Sequence, residues 1–181
     1  MSQLQQSFSW IGPSSDPNDV QVGDLVYPAT LEDAADAAVV LVGEPYDGAV
    51  VSRKGASEGP GALRTELAGV KAARLSGESV PEIADLGDVD FEMGPVREVH
   101  EQFEAVSRRV HDLDALPIFL GGDNSVSVPN IAPLIEDGPT AVINFDAHLD
   151  CREVHEEPTS GTPYRQLFEK GLASYTVIGA R

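Results

Sequence analysis

AVINFDAHLD, residues 141–150, changes character halfway along. Ala141 to Phe145 is a short run, apolar apart from Asn144, with the composition of a strand buried on both faces. Asp146, His148 and Asp150 follow at once, spaced two apart. Alternate side chains of an extended backbone point the same way, so these three are expected to project together while Ala147 and Leu149 turn aside. Two carboxylates held side by side repel, and one tends to keep a proton unless a cation lies between them. Carboxylate-rich donor sets with one imidazole suit Mn²⁺ or Mg²⁺. The bland alternative is a solvated turn. The position directly after a buried run argues against it, because such a strand aims its end at the sheet edge where ligands sit in open parallel sheets.

The same rhythm runs through the flanking sequence. Ala38–Gly43 (AVVLVG), Pro117–Leu120 (PIFL) and Ser174–Gly179 (SYTVIG) read as further strands, and 82–86 as a weaker one. Val96, Val99, Phe103, Val106, Val110 and Leu113 step by three and four, one apolar stripe along a helix. Shorter helices are expected after Pro60, over 126–135 despite Pro129 and Pro133, and near 164–170. Short apolar strands alternating with helices predict a three-layer α/β/α sandwich with a mainly parallel sheet. Residues 1–35, rich in Ser, Pro, Asp and Gln, read as an irregular lead-in, leaving 36–181 as the α/β domain. The sequence stops directly after a strand, so the fold is expected to continue beyond it.

Thirty acidic residues face 12 basic ones, a formal net charge of −18, and only Lys54, Lys71 and Lys170 are lysines. Nothing here neutralises phosphates, so a nucleic-acid partner is not expected. The acids are spread along the whole chain, which suits a protein adapted to high salt, where counterions screen carboxylate repulsion. The expected result is a melting temperature that rises markedly from dilute buffer to molar KCl; equal melting in both would refute it. No stretch approaches the roughly 20 apolar residues needed to cross a bilayer. MSQLQQSFSW lacks a basic start followed by an apolar run, and Cys151 stands alone, so a cytoplasmic protein is expected.

Several motifs together resemble one family. GGDNSVS (121–127), NFDAHLD (144–150), SGTPYRQ (160–166), VIGAR (177–181) and the earlier VGEPYDGAVVSRKGASEGPGALR (42–64) are similar to the ureohydrolases, which comprise arginases, agmatinases and formimidoylglutamases. The resemblance covers roughly 38–181 and implies an arginase-like fold with two Mn²⁺ ions bridged by a hydroxide that attacks an amidine or guanidine carbon. By that resemblance Asp146 is a bridging metal ligand, and His148 and Asp150 each bind one ion. Asp150 also becomes a candidate for handling the proton. Asn124 stands where the family normally has a histidine ligand, so a weaker neutral oxygen replaces imidazole there.

Arginases keep an asparagine two residues past D-A-H-x-D and a histidine soon after S-G; this chain has Arg152 and Tyr164 there. It resembles the formimidoylglutamases instead. The implied reaction is hydrolysis of N-formimidoyl-L-glutamate to glutamate and formamide, a step of histidine degradation. A substrate with two carboxylates needs a fixed cation, and arginine meets a carboxylate through two parallel hydrogen bonds. Arg152, Ser160 and Arg165 are therefore the candidate substrate contacts, against readings as a surface ion pair, a turn residue and a loop support. The family also implies a homo-oligomer. It takes further ligands from a late S-x-D-x-D motif, which this chain lacks, since Asp88 and Asp90 come too early. The 181 residues are thus expected to bind manganese weakly and not to turn over. An agmatinase- or arginase-like enzyme and a non-catalytic module of the same fold are the alternatives. Other tempting residues have plainer readings. His155 reads as a solvated loop residue, Cys151 as a small buried side chain, His100 and His111 as surface residues, and Tyr46 and Asp47 as parts of a turn.

Overall fold

The computed structural model describes residues 3–16, 18–73, 76–78 and 80–181. In chain order the elements are β1 (Gln3–Gln5), β2 (Val26–Pro28), β3 (Val39–Glu44), α1 (Gly59–Ala68), β4 (Ile83–Asp90), α2 (Val96–His111), β5 (Leu116–Gly121), α3 (Ser127–Asp137), β6 (Ala141–Phe145), α4 (Pro163–Glu169) and β7 (Ser174–Ile178). Helices flank a mainly parallel sheet, as the pattern predicts. β3 pairs in parallel with both β4 and β5, β2 in parallel with β4, and β6 in parallel with β7.

The sheet is in two pieces. One has the order β1-β4-β3-β5, with β2 also on β4, and the other is the pair β6-β7. Every crossover between parallel neighbours carries a helix, as their geometry requires.

The stripe on α2 packs as read: Val99, Phe103, Val106 and Val110 are buried against Val40, Val42 and Leu86 of the sheet. Tyr46, Phe91 and Phe103 meet edge to face, with ring centroids 4.9–5.8 Å apart. A second, smaller cluster of Val128, Tyr164, Leu167 and Leu172 joins α3 and α4 to β6–β7, with Tyr164 stacked on Tyr175. It covers one face of that pair. On the other face Ile143, Phe145 and Ile178 stand exposed. Pro133 lies inside α3 without ending it, and Pro129 falls in the first turn, where its missing N–H costs nothing.

Two differences from the sequence reading have clear causes. The lead-in contributes β1, antiparallel to β4, and β2. Each has three residues, too few for a period to show, and β4 supplies the pairing. β4 itself runs to Asp90, past the expected 82–86. Its alternation is interrupted where the register against β3 shifts between Leu41 and Gly43. Gly87 takes the left-handed φ of 83° there, and its missing side chain leaves room for the Gln5 backbone.

Inside this region α1 sends Arg64, fully buried, across the sheet. Its Nε and Nη2 donate to Asp85 at 2.8 and 2.9 Å, Nη1 donates to Asp88 at 2.6 Å, and Nη2 also reaches Gly87 O. Trp10 Nε1 donates to the same Asp85 carboxylate at 2.7 Å, pinning the N-terminal segment to β4. Among the described residues, no helix is long and apolar enough to cross a membrane.

Candidate metal centre

The ends of β5 and β6 deliver the two polar clusters. Past β5, Asp123 is buried and acts as a splice. Its Oδ1 accepts from Ser125 N and its Oδ2 from Ala49 N, both at 2.9 Å, while its own N–H donates to Tyr46 O. That fixes the next residue, Asn124. The Asn124 amide nitrogen donates to Asp150 Oδ2 at 2.7 Å and to Ser160 O at 3.3 Å, and its Oδ1 accepts from Ser127 Oγ at 3.0 Å. A carboxylate and a carbonyl can only accept, so this orientation of the amide is forced. Asn124 therefore braces Asp150 and turns its own oxygen toward Ser127.

Past β6 the backbone does not stay extended. Asp146 Oδ1 accepts from His148 N at 2.9 Å, a side-chain turn, and His148 Nδ1 lies 3.4 Å from the same oxygen. Asp150 has a left-handed φ of 48°, uncommon for a residue with a side chain. The simple alternation expected from the spacing is thus replaced by a turn that holds Asp146 and His148 together and sets Asp150 in a left-handed conformation. The His148 hydrogen bonds hold the Asp146 carboxyl below its ordinary value. Burial, then the charge of Asp146, raises that of Asp150. Two interacting carboxylates of opposite tendency, with an imidazole at 3.4 Å, are a donor chemistry that suits a hard divalent cation. Among the described residues, no group of three or more His, Cys, Asp or Glu is arranged to hold a metal ion as it stands. Asp146, His148 and Asp150 carry the donor atoms that would hold one once brought together.

His148, Asp150, Arg152, Ser160 and Gly161, with Val51 and Ser52, line one cavity of about 290 Å³. Ser160 is fixed by its N–H to Ala49 O and by accepting from Val51 N, so its hydroxyl sits on the wall. Arg152 donates its backbone N–H to Gly161 O at 3.0 Å, and its side chain lies across Gly161, where an added Cβ would stand 3.1 Å from Arg152 Cδ. Arg165 does not join them. It borders a separate depression with Cys151, Phe168 and Glu169.

The surface reading of His100 is overturned. α3 and the turn before it cover that side of α2, so His100 is buried, shares a 3.0 Å hydrogen bond with Ser125 Oγ, and is pushed by burial to a pKa of about 4. His111 is half-buried and meets Asn130 O at 2.9 Å. Tyr46 is core, and Asp47 accepts from Gly55 N and Ser57 Oγ, the turn role expected. Cys151 is half-buried, its thiol pushed up by burial, and His155 is exposed. Sequence reading assigned no role to Asp123, Glu44 or the Arg64–Asp85–Asp88 group. The only signal for the last was Arg64 inside the quoted glycine-rich motif.

A family model described as Arginase family matches residues 37–181. The chain is 49% identical over 182 aligned positions to the formimidoylglutamase of Halobacterium salinarum, covering 98% of this chain and 60% of that protein. The crystal structure of formimidoylglutamase from Bacillus subtilis superposes with a TM-score of 0.78 at 32% identity, over 89% of this chain and 52% of that one. A Trypanosoma cruzi formiminoglutamase crystallised with Mn²⁺ gives 0.74 at 32% identity, over 84% and 54%. The chain thus spans between half and three-fifths of the length of these relatives. With helix-flanked parallel strands, two polar loops at their ends and this likeness in sequence, the chain belongs to the arginase family.

Proposed function

We propose that this protein serves hydrolysis of the formimidoyl C–N bond of N-formimidoyl-L-glutamate, giving glutamate and formamide, with manganese held by Asp146, His148 and Asp150. One observation carries the reading: Arg152 lines the same cavity as His148 and Asp150. A cation beside carboxylates in one cavity suits a substrate that is itself an acid and disfavours a cationic guanidine. The names of the relatives at 49% and 32% identity support the same substrate.

Bound manganese supplies a water of lowered pKa and polarises the reacting carbon's substituents. The protein's own residues do the rest. Arg152 receives a substrate carboxylate in a two-pronged contact, and the Ser160 hydroxyl donates to it. Asn124 keeps the Asp150 carboxylate turned into the cavity. Asp150, in the same cavity as His148 and Arg152, is the carboxylate placed to take and return a proton beside the reacting carbon.

Binding tests the substrate choice without relying on turnover. With Mn²⁺ present, calorimetry is expected to show binding of N-formimidoyl-L-glutamate and none of agmatine. Arg152→Ala should weaken the former about 10- to 100-fold, the worth of a charged hydrogen bond. Agmatine binding as tightly as the acid, or an Arg152→Ala variant with unchanged affinity, would overturn the assignment.

A further inference from the structure

We propose that Glu44 is kept as a neutral carboxylic acid and forms a two-way hydrogen-bonded pair with the Asn130 amide, so that a single proton locks the end of β3 to α3. Glu44 closes β3 and is buried. It shares its strand parity with Val40 and Val42, which face α2, whereas Gly43 faces Arg64 on the opposite side. Asn130 Nδ2 donates to Glu44 Oε2 at 2.8 Å. The Oδ1 of the same amide is buried and has no donor among the described residues.

An ionised carboxylate offers only acceptors and leaves that oxygen orphaned; a carboxylic acid offers one donor and one acceptor, the complement of an amide. The surroundings favour the neutral form. Among the described residues no basic side chain forms an ion pair with Glu44. From α2, His111 and Ser107 bond to the Asn130 backbone oxygen, and His100 bonds to Ser125. On β5 the neighbour is Gly121, and beyond it Asp123 is spent on backbone N–H groups. On β4, Asp88 is paired with Arg64 across the sheet. Burial pushes the Glu44 carboxyl up to about 8, against a smaller opposing effect of Asn130.

A proton bound more tightly in the folded than in the unfolded chain makes stability depend on pH. The contribution of Glu44 is complete below the unfolded value of 4.5, falls about tenfold in the folding equilibrium per pH unit above it, and is gone once the folded group ionises near 8. His100, lowered to about 4, acts in the opposite direction but only below its unfolded value of 6.5. From pH 6.5 to 8 His100 therefore no longer opposes Glu44. The Glu44 backbone oxygen accepts from Tyr46 N, whose own oxygen accepts from Asp123 N, so loosening the end of β3 would reach the turn that Asp123 braces.

Urea unfolding of the 181-residue chain in molar KCl is the test. From pH 6.5 to 8 the wild-type folding constant should fall at least about tenfold more than that of Glu44→Gln, which keeps the shape and the two-way pairing but cannot ionise. Equal pH dependence in the two proteins would overturn the proposal. Should Glu44→Gln fail to fold, infrared spectroscopy of Asp150→Asn, which removes the other raised carboxyl, replaces it. A protonated-carboxyl band at pH 6.5 that disappears by pH 9.5 supports the pair, and its absence at pH 6.5 refutes it.

Discussion

Arg64→Ala is expected to lose about 3–5 kcal/mol of folding stability, the cost typical of removing one partner of a buried ion pair. Arg64 and Asp85 are both essentially without solvent contact, and Asp88 is one-fifth exposed. Deleting the guanidinium strands the Asp85 carboxylate with neither water nor counter-charge and leaves Asp88 only partial access to water, and the Trp10 indole supplies Asp85 with only one remaining side-chain donor. Arg64→Lys should recover little, because a point charge cannot serve Asp85 through two nitrogens while also reaching Asp88. The measurement is the urea midpoint at constant m-value, in both dilute and molar KCl. Surface carboxylate repulsion responds to salt; a buried network does not, so the loss should be nearly the same in both. A cost below about 1 kcal/mol, or one erased by salt, would show that Arg64 is not the keystone of β3, β4 and α1.

Asp150→Ala is expected to weaken Mn²⁺ binding by more than about 100-fold, and Asn124→Ala by about 10- to 100-fold. The first removes a donor. The second removes only the amide that holds that donor at 2.7 Å, and residues that orient ligands cost affinity in this range when lost. Free Mn²⁺ counted by electron paramagnetic resonance during titration gives both numbers. The order matters: if Asn124→Ala hurt more than Asp150→Ala, Asn124 would be the ligand and Asp150 its support. The wild type must bind first; a protein with no measurable Mn²⁺ affinity at millimolar metal would remove the metal-centre reading altogether.

Periodicity exposed β3, β5, β6, β7 and α2, because each is either a dense apolar run or a full stripe. It could not expose β1 or β2, whose pairing comes from a strand 57 to 87 residues away. Asp146, His148 and Asp150 were legible as candidates from residue type and position after a strand. Their arrangement was not, since a side-chain turn at Asp146 and a left-handed Asp150 break the alternation on which the reading rested. His100 failed for a different reason. A helix has faces beyond its apolar stripe, and a neighbour such as α3 can cover a polar one when the polar group finds a partner, here Ser125.

The divided sheet places the chain's acidity in a second light. Among the described residues β5 pairs only with β3 and β6 only with β7, so each leaves a row of backbone donors and acceptors open, beside the uncovered Ile143 and Phe145. Such rims invite strand addition by other copies, and a charge of −18 keeps those copies apart. Molar KCl relaxes the strain within one molecule and thins this mutual repulsion at the same time. Light scattering is therefore expected to climb with salt over the same range in which the melting temperature is expected to rise.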